Sequence, residues 1–409
     1  SSSRSALWTR PKNELSNDQY TEFYKHITHG IDEPMLTAHW KAEGKIEYTG
    51  LLFIPALRPW DLYDPTRKHA VKLYVKRVFI ADDCEGLVYP WLRFLRGIVD
   101  SEDLPLNISR EMLQHNPVIT KIRSGIAKRV LKELDQMAKD DLVGFNAFWG
   151  QFGPVLKEGL YDAAEHREDL LKVTRFHSTH QDGTLTSLSD YVSRMKDGQD
   201  EIYYISGENL DTLKNSPQIE GLKSRGIEVL FFTDTIDDFW LQTVTDFDGR
   251  KFQSVTKGNI DLNRFERDKT EEKQDDKEEK KYPELDSLLA VIKNTLGDDI
   301  GEVRISNRLT DSPVCLVAAD NEVDLRMERV LKIHQKYQPQ SGRVMEINPA
   351  HKLVTKMAML AEKDNKDAQV IDAAHLLLDQ ARIIQGEDVP DPAGFARRMA
   401  AFMEQGLVG

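Results

Sequence analysis

Apolar residues recur at three- and four-residue steps through a long central stretch of the chain. Between residues 117 and 139 they fall on one side of a helix, and this stripe predicts an amphipathic α-helix. Its members are Ile119, Ile122, Ile126, Val130, Leu134 and Met137. A second helical run, rich in aromatic residues, covers residues 141–156. Together the two runs predict a helical coil over residues 117–158 that joins two α/β units.

The stretches on either side of this coil carry strand patterns. Before it, residues 46–55 are rich in β-forming residues and residues 71–80 alternate apolar with polar positions, which predicts strands in a first α/β unit of about 1–115. After it, strand and helix patterns alternate through about 160–265, which predicts a parallel sheet covered on both faces. The predicted strands there are residues 201–206 and 227–233, and the predicted helices are 208–225, with a break at Pro217, and 235–245. The two units and the coil form one predicted domain, residues 1–265.

Residues 266–283 interrupt both patterns. Fourteen of these eighteen residues are charged, so the run cannot fill a core and predicts an exposed linker or charged helix. Residues 284–409 predict a smaller α/β domain that ends in helices. Its predicted strands are 303–305 and 314–317, and its predicted helices are 320–337, 349–360, 368–385 and 392–405. The expected fold class is α/β, or α+β taken overall.

Composition and charge narrow the classes of function. The 409 residues carry a formal net charge of −13, which argues against nucleic acid as the main partner, because phosphate binding needs basic surface. No apolar run is long enough to span a membrane. The two cysteines, Cys84 and Cys315, lie far apart and predict a reducing compartment without disulfides, so we expect a cytoplasmic protein.

Signatures of an enzyme or a metal site are weak. Gly221 and Gly226 have the spacing of a phosphate loop, but Ile227 stands where that loop requires lysine. Two histidine pairs have a spacing that could hold a metal, but neither has a third ligand nearby in sequence. These pairs are His26 with His29 and His177 with His180. We expect no metal site and a chain that is not a complete enzyme.

One loop presents an arginine on the first turn of a predicted helix. Pro105 fixes the loop backbone, and Asn107 and Ser109 are candidate helix caps. Arg110 and Gln114 lie four positions apart, so we expect them on one helical face. A guanidinium held in this way suits bidentate contact with a carboxylate or a phosphate. An ordinary ion pair on a solvated face is the alternative.

Three other segments carry apolar surface that a protein partner could cover. The predicted helix 320–337 has an apolar stripe of Val323, Met327, Val330 and Leu331, for which core packing is the alternative. In residues 238–242 two adjacent aromatic rings cannot both face one core, so we expect one to be exposed. The last two helices carry more apolar surface than a small domain covers, which predicts assembly with another chain. The interface positions are Ile371, Leu377, Leu378 and Ile384 on the first of these helices and Phe395, Met399 and Phe402 on the second.

Several long motifs, in order along the chain, resemble one protein family. The central motif, Asp103-Leu-Pro-Leu-Asn-Ile-Ser-Arg-Glu-Met-Leu-Gln114, resembles the catalytic-loop segment of the ninety-kilodalton heat-shock chaperones. Residues 6–10, 22–25 and 73–80 resemble the same family, and residues 190–195 and 308–313 resemble its bacterial branch. The resemblance covers nearly the whole chain.

This resemblance implies that the chain holds the family's middle and C-terminal domains without the N-terminal nucleotide-binding domain. In the family, the arginine that matches Arg110 reaches the γ-phosphate of ATP in that domain, and Asn107 and Gln114 match its supporting polar residues. ATP and magnesium are therefore expected only in a full-length protein, and no cofactor is expected on this chain.

The resemblance also implies protein partners. The stripe of helix 320–337 and residues Asp238, Phe239 and Gln242 match positions that contact unfolded client proteins, and the terminal helices match a dimeric four-helix bundle. Three further aromatic residues that match the family are expected in the core: Trp8, Trp60 and Phe79. The leading hypothesis is a homodimeric chaperone part that binds client proteins, and the rival is a non-catalytic dimerisation scaffold whose stripes are core. An independent enzyme lacks a nucleophile or base.

Overall fold

The structure of the chain, a computed structural model, is mixed α/β, with 47% of its residues in helices and 18% in strands, which confirms the predicted fold class. It describes residues 6–67, 71–258, 260–265, 281–320, 322–335 and 342–409. The chain divides into two compact units, Ser1–Arg175 and Phe176–Gly409. The predicted domain boundaries stay predictions. Residues 266–280 of the predicted linker lie outside the described residues.

The first unit is built on a five-stranded sheet with the order β1-β2-β5-β3-β4. The strands are β1 (Pro34–Ala42), β2 (Tyr48–Pro55), β3 (Val71–Val75), β4 (Val78–Ala81) and β5 (Arg96–Ser101). Strand β2 pairs antiparallel with β1 and β5, whereas β3 and β5 are parallel. The side chains of β2 and β5 are almost all buried, so these two strands form the middle of the sheet.

The sequence pattern predicts only part of this sheet. Strand β2 confirms the strand expected at 46–55, but the single strand expected at 71–80 is wrong. Lys76 and Arg77 adopt positive φ angles of 46° and 68°, which reverses the chain and makes a hairpin of β3 and β4. Neither residue is a glycine, so the sequence gives no sign of this turn.

The helices of the first unit agree better with their prediction. They are α1 (Asn17–Thr28), α2 (Arg110–Leu113), α3 (Pro117–Asp140), α4 (Leu142–Asp162) and α5 (Arg167–Val173). Helix α3 confirms the predicted stripe, since five of its six members, Ile119 to Leu134, are buried. Helix α4 continues past the predicted end at residue 156, and its Phe145, Phe148 and Phe152 are fully buried.

The second unit begins with a six-stranded sheet in the order β10-β11-β8-β9-β6-β7. Its strands are β6 (Arg175–Ser178), β7 (Leu185–Ser187), β8 (Ile202–Ser206), β9 (Leu230–Phe232), β10 (Asp246–Phe247) and β11 (Arg250–Ser254). The helices are α6 (Leu188–Ser193), α7 (Leu210–Lys214), α8 (Glu220–Ser224) and α9 (Asp237–Trp240). The expected parallel arrangement holds for β11, β8 and β9, but β6 runs antiparallel to β9.

The rest of the second unit surrounds a three-stranded sheet in the order β12-β14-β13. These strands are β12 (Glu302–Ile305), β13 (Val314–Val317) and β14 (Val344–Ile347). The helices are α10 (Asp286–Leu296), α11 (Leu325–Gln335), α12 (Lys352–Lys363), α13 (Ala368–Ile384) and α14 (Pro392–Gly406). Leu288, Ile292, Met345 and Leu377 belong to one core that the sheet shares with these helices.

A buried ionic network ties the small sheet to the chain that follows β11. Arg308 and Glu346 are both almost fully buried, and Arg308 Nε lies 2.9 Å from Glu346 Oε1. Arg308 Nη1 also donates to the carbonyl of Val255 at 2.6 Å, and Nη2 donates to that of Lys257 at 3.2 Å. Arg304 Nη2 approaches the other carboxylate oxygen at 2.8 Å. Each buried charge therefore has a partner, which is the condition under which burial is tolerated.

Gly221 sits where the backbone of α8 meets this network. A Cβ at Gly221 would lie 2.5 Å from the carbonyl oxygen of Arg308, a separation that real side chains do not reach. Gly221, which has the spacing of a phosphate-loop glycine in the sequence, is thus required because two backbone segments approach each other closely here.

Both cysteines are buried and free. Burial, with a smaller contribution from the charge of Asp83, raises the pKa of the Cys84 thiol to about 11. Burial also raises the pKa of Cys315 well above its ordinary value, and the nearby Glu346 acts in the same direction.

Candidate functional site

Arg110 opens helix α2 and its side chain is 73% exposed. Its Nη2 atom lies 2.9 Å from Oδ1 of Asp83, which follows β4. An ion pair this exposed contributes about 0–1 kcal/mol to stability. The guanidinium can therefore exchange Asp83 for another anion at little cost.

The loop that carries Arg110 is anchored at its base. Ser101 Oγ accepts hydrogen bonds from the amides of Asp103 and Leu104, both at 3.2 Å. Leu104 and Ile108 are buried, so their side chains fix the middle of the loop to the first unit. The arginine thus projects from a backbone that is held in place, as a group that contacts a reacting phosphate must be.

The two residues predicted to support Arg110 are exposed, and one geometric expectation about them is wrong. Helix α2 is a single turn, and Gln114 follows it in an extended conformation with φ −65° and ψ 130°. Arg110 and Gln114 therefore share no helical face. Ser109, rather than Asn107, caps the helix by accepting a hydrogen bond from the third amide beyond it at 3.4 Å. The roles of Asn107 and Gln114 stay predictions.

The two segments predicted to contact client proteins meet in the second unit. Gln242 Nε2 lies 3.3 Å from Met327 Sδ, although the two residues are 85 positions apart. Asp238 Oδ2 lies 3.2 Å from Nε of Arg326, the neighbour of Met327 on α11. Phe239 is 36% exposed beside this contact, whereas the adjacent Trp240 is fully buried, as expected for two neighbouring rings. Segment 238–242 and helix α11 thus form one surface.

The apolar stripe of α11 is neither core nor free surface. Val323 precedes the helix and is half-buried. The other three members of the stripe are half-buried too: Met327, Val330 and Leu331. Ile333, which the stripe does not include, is 72% exposed. The predicted stripe therefore leaves out the most open apolar position among these five, although Ile333 follows Val330 at a three-residue step.

Asp238 is the titratable group at the centre of this surface. Burial raises the pKa of its carboxyl to about 6, and the charges of Asp237 and Asp324 act in the same direction. Arg326 lowers the pKa through its charge and hydrogen bond, but the effect of burial is larger. At neutral pH the Asp238 carboxylate is therefore mostly charged, and burial of this charge lowers the free energy of unfolding.

Acidification should stabilise the second unit through Asp238. Because the folded pKa of about 6 lies above the ordinary value of 3.8, the native state takes up this proton before the unfolded state does. As pH falls from 7 to 5, the wild type should gain unfolding free energy relative to Asp238→Asn, as measured by hydrogen exchange of β8 and β9. Parallel pH profiles for the two proteins would contradict this assignment.

Comparison with known proteins identifies the family. A family model described as "Hsp90 protein" matches residues 2–409. The chain belongs to the Hsp90 family. It is 53% identical over 409 residues to "Chaperone protein HtpG" of Paramagnetospirillum magneticum and 46% identical over 407 residues to the protein of that name from Roseobacter denitrificans. These matches cover 100% and 99% of this chain, and the chain spans 65% of the length of each relative.

In this Hsp90-family chain the first of the two terminal helices, α13, is packed more deeply than its predicted role requires. Leu377 and Leu378 are only 1% and 2% exposed and belong to the core of the second unit, so a partner could not contact them. Their placement in the predicted interface is therefore corrected. The other predicted positions are half-buried or exposed: Ile371, Ile384, Phe395, Met399 and Phe402. The dimer itself stays a prediction.

Two of three aromatic residues expected in the core of the Hsp90-family chain lie on its surface. Trp8 is buried, and its Nε1 donates to Asp100 at 2.8 Å. Trp60 is 94% exposed in the loop after β2, and Phe79 is half exposed on the edge strand β4. An apolar residue type alone does not distinguish these surroundings.

No cluster of three or more His, Cys, Asp and Glu side chains among the described residues is placed to hold a metal ion. No helix within the same ranges has both the length and the apolar character needed to cross a membrane.

Proposed function

We propose that this chain is the client-binding and dimerising part of a molecular chaperone. The observation that carries the proposal is the surface where Phe239 and Gln242 meet Met327, because it joins two segments that the family resemblance assigns independently to client contact. A partly exposed aromatic ring beside a flexible methionine can pack against varied apolar partners. The relatives' name, "Chaperone protein HtpG", agrees with this role.

We further propose that the chain corresponds to the middle and C-terminal part of its relatives. Arg110 would then complete the ATP site of a nucleotide-binding domain and contact the γ-phosphate, so that hydrolysis drives a clamp of two arms. The guanidinium of Arg110 is exposed and its ion pair with Asp83 is weak, so it could leave Asp83 and contact a phosphate instead. Residues of the second unit, among them Ile384 and Phe402, would form the two-fold interface.

The test of client binding is anisotropy of a labelled, persistently unfolded protein titrated with the chain. Val323→Asp, Met327→Asp and Leu331→Asp together should weaken binding at least about tenfold, since each places a charge where an apolar contact forms. A matched control carries three aspartates at exposed neutral positions of the same unit, so that the net charge changes equally; these are Ser287, Thr355 and Asn365. Both variants must match the wild type in circular dichroism and in oligomeric state.

A specific observation also favours the rival scaffold function. The stripe residues Val323, Val330 and Leu331 are half-buried within the chain itself, as in a helix that stabilises its own domain. If the wild type fails to bind the unfolded protein while remaining dimeric, the scaffold function replaces the chaperone proposal.

A further inference from the structure

A cavity of about 170 Å³ lies beside the proposed client surface, entirely within the second unit. One wall is the chain that leaves β8, from Ser206 to Glu208, at the carboxyl end of a parallel strand. The opposite walls are helix α11 and the end of α13. Ligands commonly bind at the carboxyl ends of parallel strands, and this cavity lies at such an end. We call it the Arg329 pocket.

Four charged side chains line the Arg329 pocket, and three of them are already paired. Arg326 pairs with Asp238 at 3.2 Å and with Glu208 of the lining at 3.5 Å. Glu387 is held by Arg343, whose Nη1 donates to it at 2.6 Å.

Arg329 is the exception. Its Nη1 donates to the carbonyl oxygen of Gln385 at 3.3 Å, and no carboxylate of the described residues lies within ion-pair distance of its guanidinium. A backbone carbonyl uses only part of the five-donor fork of an arginine and does not neutralise its charge. Arg329 is therefore the one charged side chain of this lining that has no ion-pair partner among the described residues.

The shape and composition of the pocket favour a carboxylate on a short apolar stem. Leu213, Leu325 and Ile384 provide apolar walls that can pack against methylene groups. Glu208 and Glu387 also line the pocket, and their negative charges disfavour a phosphate dianion more than a single carboxylate. The planar guanidinium of Arg329 can bind both oxygens of such a carboxylate.

We propose that the Arg329 pocket binds the side-chain carboxylate of an acidic residue in a client segment. The inference rests on the proposed client binding, because Arg326 connects the two sites: it lines the pocket and also pairs with Asp238, next to Phe239. A client segment would place apolar residues on Phe239 and Met327 and insert a nearby Asp or Glu beside Arg329. The chain then selects apolar segments that contain an acidic residue.

The test uses two short labelled peptides with alternating apolar residues that differ only in one central Glu or Gln. Titrated with the full chain, the Glu peptide should bind about three- to tenfold more tightly at low salt, and the preference should shrink at high salt. A preference for the Glu peptide would be informative because the net charge of −13 creates an overall electrostatic field that disfavours an acidic peptide.

Substitution of the arginine assigns the preference to the pocket. Arg329→Gln should remove the preference and leave binding of the Gln peptide unchanged, whereas Arg329→Lys should retain part of it. Lys332→Gln is the matched control, since it removes the same charge from the same helix but lies outside the pocket and pairs with Glu328.

The possible results separate this inference from the function on which it rests. Equal affinity of the wild type for both peptides overturns the pocket assignment and leaves client binding intact. Loss of the preference in Lys332→Gln overturns it as well, because the effect would then belong to the general field. Absence of binding for both peptides overturns the proposed client binding and the inference with it.

Discussion

Replacing Arg110 by alanine should slow ATP turnover about 100-fold or more in a protein that joins this chain to a nucleotide-binding domain. The arginine is proposed to meet charge that develops on the γ-phosphate during hydrolysis, and loss of such a contact costs about 100-fold or more in rate. The fold should be unaffected, because the side chain is 73% exposed and its pair with Asp83 contributes little. Turnover is measured by steady-state phosphate release.

Two controls make this result specific. Arg77→Ala removes an exposed arginine from the same unit, one that lies 3.2 Å from Glu102, and should leave turnover unchanged. Asp83→Asn should not slow turnover, since it frees Arg110 from its resting partner. The isolated chain should bind no ATP. Binding of ATP to it would place the chain in the nucleotide-binding part of its relatives, and unchanged turnover in Arg110→Ala would refute the assigned role.

The largest effect on stability is expected from Glu346→Ala. This carboxylate is almost fully buried between Arg308 and Arg304, and its removal leaves two guanidinium groups without their counter-charge. Breaking a buried ion pair from one side costs about 3–5 kcal/mol. Hydrogen exchange of amides in β12 and β14 should therefore accelerate about 100-fold or more if it follows unfolding of this unit.

A surface glutamate on the same sheet provides the comparison. Glu302 lies exposed on β12, and Glu302→Ala should change exchange by no more than a few-fold. Glu346→Gln keeps the shape and loses the charge, so an intermediate effect is expected. If Glu346→Ala exchanged as slowly as Glu302→Ala, the network would be dispensable for stability.

The parts of the fold that the sequence predicts are those governed by local periodicity. Helix α3 forms where its stripe predicts because five of its members, from Ile119 to Leu134, pack on one side. The hairpin of β3 and β4 escapes prediction because two basic residues, Lys76 and Arg77, adopt backbone angles that glycine usually provides. Helix α11 begins at Leu325, later than the predicted start at 320, because the side chain of Asp324 caps it by accepting a hydrogen bond from the amide of Met327 at 2.8 Å.

The candidate sites depend on contacts that no local pattern encodes. Asp83 and Arg110 lie on either side of strand β5 in the sequence, and nothing in either segment indicates that they pair. The contact between Asp238 and Arg326 joins residues that are 88 positions apart and brings two separately predicted segments together. Trp60 is a further case in which sequence alone misleads. Its aromatic side chain predicts burial, but the residue lies in the loop after β2 and is exposed.

The burial of both cysteines has a practical consequence for labelling chemistry. Alkylating reagents attack the thiolate, and at neutral pH the raised pKa values of Cys84 and Cys315 keep both thiols protonated as well as inaccessible. A new cysteine at an exposed position such as Met403 would therefore react far faster than either native thiol. A single spectroscopic probe could then be attached without altering the native cysteines, and a distance measured between two copies of that probe would test whether two chains pair through α14 as proposed.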